Sequence, residues 1–459
     1  MAERRETARE RFLHSRDGVA RSHATKLESV VRQLRGHAAR APGRPVSFKK
    51  KAVSHQVPKP HDLRHTDDKI DLSDLDAILE IDRHARTCTA EPGVTFTDLV
   101  DATLAHGLAP KVVPELATIT IGGAVSGCSL ESMSFRYGGF HDSCVAYEVV
   151  TASGDVLECT RDNEHKMIFE MMHGSFGTLG VLSKLVFELV PAKPFVKMRY
   201  EHHTSLEAYK EAIWRHFVAG DVDFMDGIIH SPTEWTLCLG TFVDEAPYKS
   251  RYDWVKVYYR TTRERDEDYL RTKDYFFRYD RGVTNPTPKS ALGRLLFGKL
   301  ASSAKVLRLA EKIHRWLPEK PEVTVDLFIP FSRVDAFMRW YRSAIDFFPL
   351  WCVPYRRVAD YPWIAPGVLD GVDDPLFLDI AIYGLAQPAS RNLYKELEEA
   401  LVRVNGIKTL ISYNYYDEEA FWTRWNRENY LAVKAKTDPR NVFRDLYAKT
   451  CLASHGVGG

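Results

Sequence analysis

The sequence predicts an α+β protein built as two large domains, and three observations carry that prediction. Between Ile70 and Val190 short strand-like and helix-like stretches follow one another without a regular βαβ repeat. Pro191-Ala192-Lys193-Pro194 then punctuates the chain. Beyond it the composition shifts toward Tyr, Trp, Phe and Arg, with longer helical stretches. A chain of 459 residues, 44% hydrophobic and 12% aromatic, is more than one small core needs. The expected division is a basic helical segment over 1–44, a ligand-binding domain over 45–195, a second domain over 196–429, and a closing segment over 430–459 that returns to the first domain.

The elements follow in order. Leu27, Val30, Val31 and Leu34 fall at i, i+3, i+4 and i+7, which predicts an amphipathic helix over 24–40. Ala41-Pro42-Gly43-Arg44-Pro45 ends it, and Val46–Lys51 reads as a short strand entering a basic turn. Leu79–Asp82 and Thr87–Glu91 read as paired strands. Pro92-Gly93 breaks them, and Thr95 is placed to cap a helix over Phe96–Ala105. Tyr147–Thr151 and Val156–Thr160 predict a hairpin around Ser153-Gly154-Asp155. A helix over Ile168–Met172 and a strand over Leu182–Val190 complete this half. In the second half strands are expected at Phe224–His230, Trp235–Gly240, Val323–Ile329, Leu376–Ala381 and Thr409–Tyr415.

Two glycine-rich stretches point to function. Thr118–Ser129 carries Gly122, Gly123 and Gly127; Gly174–Val181 carries Gly174, Gly177 and Gly180. Both are embedded in apolar and β-branched residues, not in charge. Glycine in such sequence marks a close approach to the backbone, and a bulky phosphate-bearing cofactor accounts for both stretches at once. GxGxxG after a strand and GxxxxGK[ST] are both absent, which excludes the Rossmann and P-loop sites.

The motifs Pro114-Glu115-Leu116, Thr118–Gly123, Glu131-Ser132, Ser134, Arg136-Tyr137-Gly138, Glu148-Val149-Val150 and Ser175–Gly180 resemble the FAD-binding domain of vanillyl-alcohol-oxidase-type flavoproteins. Within that group they are similar to Δ24-sterol reductases and to bacterial flavoproteins that reduce methylene-branched fatty acyl chains. Trp351–Pro354, Asp379-Ile380-Ala381, Tyr383-Gly384 and Glu418-Glu419 with Phe421-Trp422 extend the similarity. The resemblance implies a two-subdomain FAD-binding domain plus an α+β cap carrying the substrate cavity. It implies that Thr120, Ile121, Gly122, Gly123, Ser126, Gly127, Ser129, Ser132, Gly177, Gly180 and Val181 contact FAD. Main-chain amides from Thr120 to Gly127 would hold the pyrophosphate. The stretch matching the family's histidine-bearing loop, Ser47–Lys51, has no histidine, so the FAD is expected to be non-covalent, with Lys49, Lys50 and Lys51 near its phosphates.

The implied activity is reduction of an isolated C=C bond in a lipid. A methylene-branched fatty acyl chain is preferred and a sterol side chain comes next; NADPH or another donor supplies electrons. The rival readings are a flavin-dependent alcohol oxidase or dehydrogenase and a flavin- or lipid-binding protein without turnover. C=C reduction needs a general acid beside the flavin. The candidates are Tyr413 and Tyr415, on one face of the expected strand; Asp326, with Asp379 and Tyr383, in apolar strands; and Lys434 in the closing segment.

Charge and cysteine usage set the remaining expectations. Net charge is +1, yet residues 1–51 hold fourteen Lys/Arg against five acids. Residues 289–320 hold eight Lys/Arg against Glu311 and Glu319, threaded by Leu, Phe and Trp. These two segments are the expected peripheral membrane contacts. Nucleic acid is not expected, since no recognition module accompanies the charge. Seven scattered cysteines with no CxxC imply neither a disulfide framework nor a metal site, and suit a cytoplasmic protein, membrane-associated where the basic segments meet lipid. An electron-donor or methyltransferase partner fits the implied chemistry.

Overall fold

In the computed structural model, which describes residues 8–41, 43–253, 256–280 and 322–456, the hairpin around Ser153-Gly154-Asp155 forms one edge of a six-stranded sheet. Across that sheet run Ile78–Asp82, Thr87–Ala90, Val181–Pro191, Cys144–Val150 and Val156–Thr160, with Leu108–Pro110 also pairing on Val181–Pro191. Thr95 caps the helix Phe96–Leu104, its side chain accepting from the Asp98 amide. The chain leaves the sheet at Pro191 and enters a second one at Phe195.

That second sheet has eight antiparallel strands in the order Glu267–Arg271, Phe195–His203, Glu234–Val243, Phe224–Ser231, Leu350–Arg356, Leu376–Leu385, Val323–Pro330 and Ile407–Lys408. Side chains alternate between its faces. Val325, Leu327, Ile329, Leu378, Ile380 and Ile382 point one way, into a core shared with the helices Leu206–Ala219, Val334–Ala344 and Leu393–Arg403. The pairs Asp326↔Ala381 and Phe328↔Asp379 put Asp326, Phe328, Asp379 and Tyr383 on the opposite face. Trp351 and Tyr355 join them through Trp351↔Ala381 and Tyr355↔Phe377. This opposite face looks toward the first sheet's loops.

Two expectations need correction. Thr409–Tyr415 is not a strand: pairing stops at Lys408. The Asn414 side chain donates to Leu410 O, Ser412 O and Thr450 O, and Lys408 Nζ donates to Tyr413 O. Side chains thus satisfy carbonyls that a ladder would otherwise use. The amphipathic helix also begins well before residue 24; it runs Ala8–Arg40. The 289–320 segment lies outside the described residues. No helix among the described residues is long and apolar enough to cross a membrane.

The long N-terminal helix is held to the first sheet by charge. His23 Nδ1 lies 2.8 Å from Glu91 Oε1, and its Nε2 2.9 Å from Glu148 Oε1. Lys26 Nζ donates to Glu91 Oε2 at 2.8 Å. Hydrogen bonds to Glu148 and then Glu91 raise the His23 imidazole to about 9. A folded pKa above the unfolded value of about 6.5 means the protonated ring stabilises the fold fully below pH 6.5. That contribution disappears as pH rises through 9. Urea unfolding at pH 6 and at pH 9.5 is therefore expected to differ by roughly 2 kcal/mol after allowance for solvent screening, and His23→Ala is expected to remove most of the difference.

The closing segment packs back on the first half. After the helix Arg427–Thr437, the Val46 amide donates to Val442 O at 2.8 Å, and Phe443 bridges Val46 in parallel. Between the two halves lies a fully buried ionic cluster. Arg278 donates to Glu131 Oε1 at 2.8 Å and lies 3.1 Å from Asp226 Oδ2. Asp226 Oδ2 also accepts from Tyr279 Oη at 2.6 Å and from Trp351 Nε1 at 3.0 Å.

Candidate active site

A cleft of about 1750 Å³, including its open mouth, runs between the glycine-rich loops and the second sheet. One wall carries Thr120, Gly122, Gly123, Ser126, Gly127, Ser129, Gly177 and Gly180. Facing it are Asp326, Phe328, Trp351, Asp379 and Tyr383 from the sheet face described above, and Glu115. The loop that follows the strand Val46–Lys49 forms the floor, with Lys50, Lys51, Ser54, His55 and Gln56.

The glycines serve closer neighbours than a ligand. A Cβ on Gly122 would lie 2.6 Å from Pro92 Cβ, and one on Gly177, at φ +70°, 2.6 Å from the Phe48 ring. Each lets one protein segment press on another and so sets the wall's shape. The amides expected to hold pyrophosphate are also engaged. Ile121 N donates to Val94 O and Gly122 N to Pro92 O, each at 3.0 Å; Ala124 N donates to Thr120 O at 2.9 Å. Gly123 N donates to Thr120 Oγ1, the cap of the helix Ile121–Ser126. Three expected contacts do not line the cleft. Ile121 and Val181 are fully buried in apolar clusters. Ser132 is buried between Glu131 and Tyr275, whose hydroxyl donates to Ser132 Oγ at 3.0 Å. Ser126 reaches the wall, but its hydroxyl donates to Gly122 O at 2.8 Å.

Sequence reasoning missed His55. Its Nε2 lies 2.9 Å from Thr118 Oγ1, and its Nδ1 is buried without a hydrogen-bond partner among the described residues. Burial, reinforced by Lys50, lowers this ring to about 4, so it is neutral. A histidine therefore does stand in the cleft, four residues past the stretch where its absence was read; the only signal was its place just after the basic turn. The lysines of that turn divide. Lys49 pairs with Asp71 and Lys51 with Asp76, while Lys50, Arg64 and Lys449 line the cleft.

Of the proton-donor candidates, the structure brings Asp326, Asp379 and Tyr383 to the cleft, and not Tyr413, Tyr415 or Lys434. Tyr383 Oη donates to Asp326 Oδ1 at 2.6 Å, and Thr409 Oγ1 stands 3.4 Å from Oδ2. Burial raises the Asp326 carboxyl, and raises Asp379 further with Asp326 adding to it. Glu115 is pushed up by burial to about 8. Burial thus shifts all three carboxyls toward their acid forms, with the Asp326 charge adding to the effect on Glu115 and Asp379. Tyr413 and Tyr415 lie off the cleft, their rings stacked 6.4 Å apart. Lys434 is buried elsewhere, donating to Thr178 O, Asp438 Oδ2 and Phe443 O. It ties the closing segment to the second glycine-rich loop.

A smaller chamber of about 740 Å³ adjoins the cleft and shares Gly127, Cys128, Phe176, Phe328 and Thr409 with it. Its lining is largely aromatic and aliphatic, including Tyr355, Tyr361, Trp363, Ile364, Phe377 and Trp425. Asp326, bonded to Thr409, therefore stands close to where the cleft meets the apolar chamber. Cations and a neutral imidazole on the loop that forms the floor, with carboxyls shifted toward their acid forms on the facing wall, suit a dinucleotide carrying a redox-active ring.

Residues 51–160 match the FAD binding domain family. With this cleft, that makes the chain an FAD-dependent oxidoreductase. More particularly, it resembles the Δ24-sterol reductases. It is 28% identical to human Delta(24)-sterol reductase over 412 residues, 85% of this chain and 78% of that protein. It is 24% identical to the Arabidopsis thaliana enzyme of the same name over 478 residues, 94% and 85% of the two chains. A shorter stretch of 102 residues, 22% of this chain and 19% of the relative, is 31% identical to rice cytokinin dehydrogenase 7.

Proposed function

We propose that this oxidoreductase reduces an isolated C=C bond in a lipid, within a vanillyl-alcohol-oxidase-type layout. Residues 45–195 with the closing segment 430–459 form the FAD domain, and 196–429 the cap. The observation that carries the reading is the Asp326–Tyr383 pair at the junction of cleft and apolar chamber. FAD, when bound and reduced, would supply hydride chemistry at one alkene carbon. Asp326, kept protonated by burial and fixed by the Tyr383 and Thr409 hydroxyls, delivers the proton to the other. Asp326 in turn opposes ionisation of Glu115 and Asp379 and favours their acid forms. Phe328, Tyr355, Phe377 and Trp363 exclude water and hold the hydrocarbon on either side of the alkene.

A site of protonated carboxyls suits protonation better than the proton abstraction that alcohol oxidation requires, which disfavours the oxidase reading. The activity printed in the relatives' name makes a sterol side chain the first substrate to try. A methylene-branched acyl chain presents the same unactivated bond and is the second. NADPH is the proposed electron source. The FAD is proposed to be non-covalent, the His55 ring being fixed by Thr118; flavin left in the supernatant after acid precipitation supports this, and flavin that stays with the protein opposes it. The substrate test is mass spectrometry of lipids from cells with and without the gene. Loss of a saturated lipid with gain of a partner lighter by two hydrogens supports the proposal. An unchanged lipid profile under expression conditions counts against it.

A further inference from the structure

Lys449 is a cation with no ion pair among the described residues. It lies on the helix Leu446–Thr450 of the closing segment and lines the cleft beside Ser47, Phe48, Lys50 and Arg64. Among the described residues its ammonium makes no hydrogen bond or ion pair; it stands 5.6 Å from the centre of the Phe48 ring. The charged groups around it are Arg64, Asp62, Asp67 and Lys50. Both carboxylates are already engaged. Asp62 accepts from Arg64 Nε at 2.8 Å, and Asp67 accepts from Arg444 Nε at 2.8 Å. Lys59 and Lys69 bring further positive charge to Asp62. Lys449, Arg64, Lys50, Arg444, Lys59 and Lys69 thus stand around two carboxylates, a local excess of positive charge that favours an anionic ligand.

The first glycine-rich helix cannot meet that ligand with its amides, because Val94 O, Pro92 O and the Thr120 cap use them. We propose that Lys449, with Arg64 and Lys50 beside it, binds the diphosphate of FAD, so that the closing segment takes part in holding the cofactor. This rests on FAD binding and not on the lipid reading above. The half-buried ammonium is also poised to lose its proton. Burial, then Arg64, lower Lys449 to about 7, so in the apoprotein it is partly neutral near physiological pH. A diphosphate dianion restores its charge, and binding takes up one proton from solvent.

The test is titration of apoprotein with FAD, read by flavin fluorescence at constant ionic strength from pH 6 to pH 9. Wild-type affinity is expected to fall by about tenfold per pH unit above pH 7. Lys449→Met is expected to bind FAD on the order of 10- to 100-fold more weakly at pH 6 and to lose the pH slope. Lys449→Arg, charged throughout, is expected to retain wild-type affinity at pH 6 and to lose the slope as well. Wild-type-like affinity and slope in Lys449→Met would overturn the proposal. So would a flat wild-type titration, which needs no variant to fold. A loss confined to NADPH binding by the holoprotein also overturns it, because the phosphate met would then belong to another nucleotide.

Discussion

Replacing Asp326 by asparagine is expected to slow substrate reduction by roughly 10²- to 10⁴-fold while leaving FAD binding within about twofold of wild type. The amide preserves the shape that accepts from Tyr383 Oη at 2.6 Å, but it has no acidic proton to give. The defect should fall on one half of the cycle. With flavin reduced beforehand by dithionite under anaerobic conditions, the rate of reoxidation by the lipid alkene reports protonation and hydride transfer together. Reoxidation at the wild-type rate in Asp326→Asn would remove Asp326 from the chemistry. Tyr383→Phe is expected to show a smaller loss, since it removes the hydroxyl that orients Asp326 and leaves the carboxyl.

The second large effect is on stability. Arg278→Met is expected to cost about 3–5 kcal/mol, because it leaves Glu131 and Asp226 buried without their shared cation. The cluster also fixes the cleft. Asp226 accepts from Trp351 Nε1 at 3.0 Å, and Trp351 lines the wall beside Asp379 and Tyr383. Thermal unfolding of Arg278→Met measures the loss directly. Adding Glu131→Gln to that variant is expected to recover part of it, since one uncompensated carboxylate then disappears. Additive losses in the double variant would show that the three residues do not act as a unit.

What the sequence made legible was local. Thr95 as a cap, the Ser153–Asp155 hairpin and the break at Pro191–Pro194 each depend on neighbours within a few residues, and all three stand in the structure. Thr409–Tyr415 reads as a strand because Thr, Ile and Tyr favour one. What unmakes it is Asn414 bonding carbonyls as distant as Thr450, which no local pattern reveals. The glycine stretches line one wall of the cleft, and Pro92 and Phe48 press on Gly122 and Gly177. Asp326 was found through its place in an apolar strand, whose alternation turns it to the cleft. Lys449 and Arg64 carried no signal, since surface lysines and arginines look the same until the closing segment folds back on Val46.

Anaerobic mixing of dithionite-reduced holoenzyme with a sterol or methylene-branched acyl substrate tests the central claim most directly. The account predicts reoxidation of the flavin with one saturated lipid formed per flavin, and, in deuterium oxide, one deuterium on each former alkene carbon, since the flavin N5 hydrogen exchanges with solvent. Flavin that stays reduced with every lipid alkene, yet is reduced from its oxidised form by an alcohol, would contradict it.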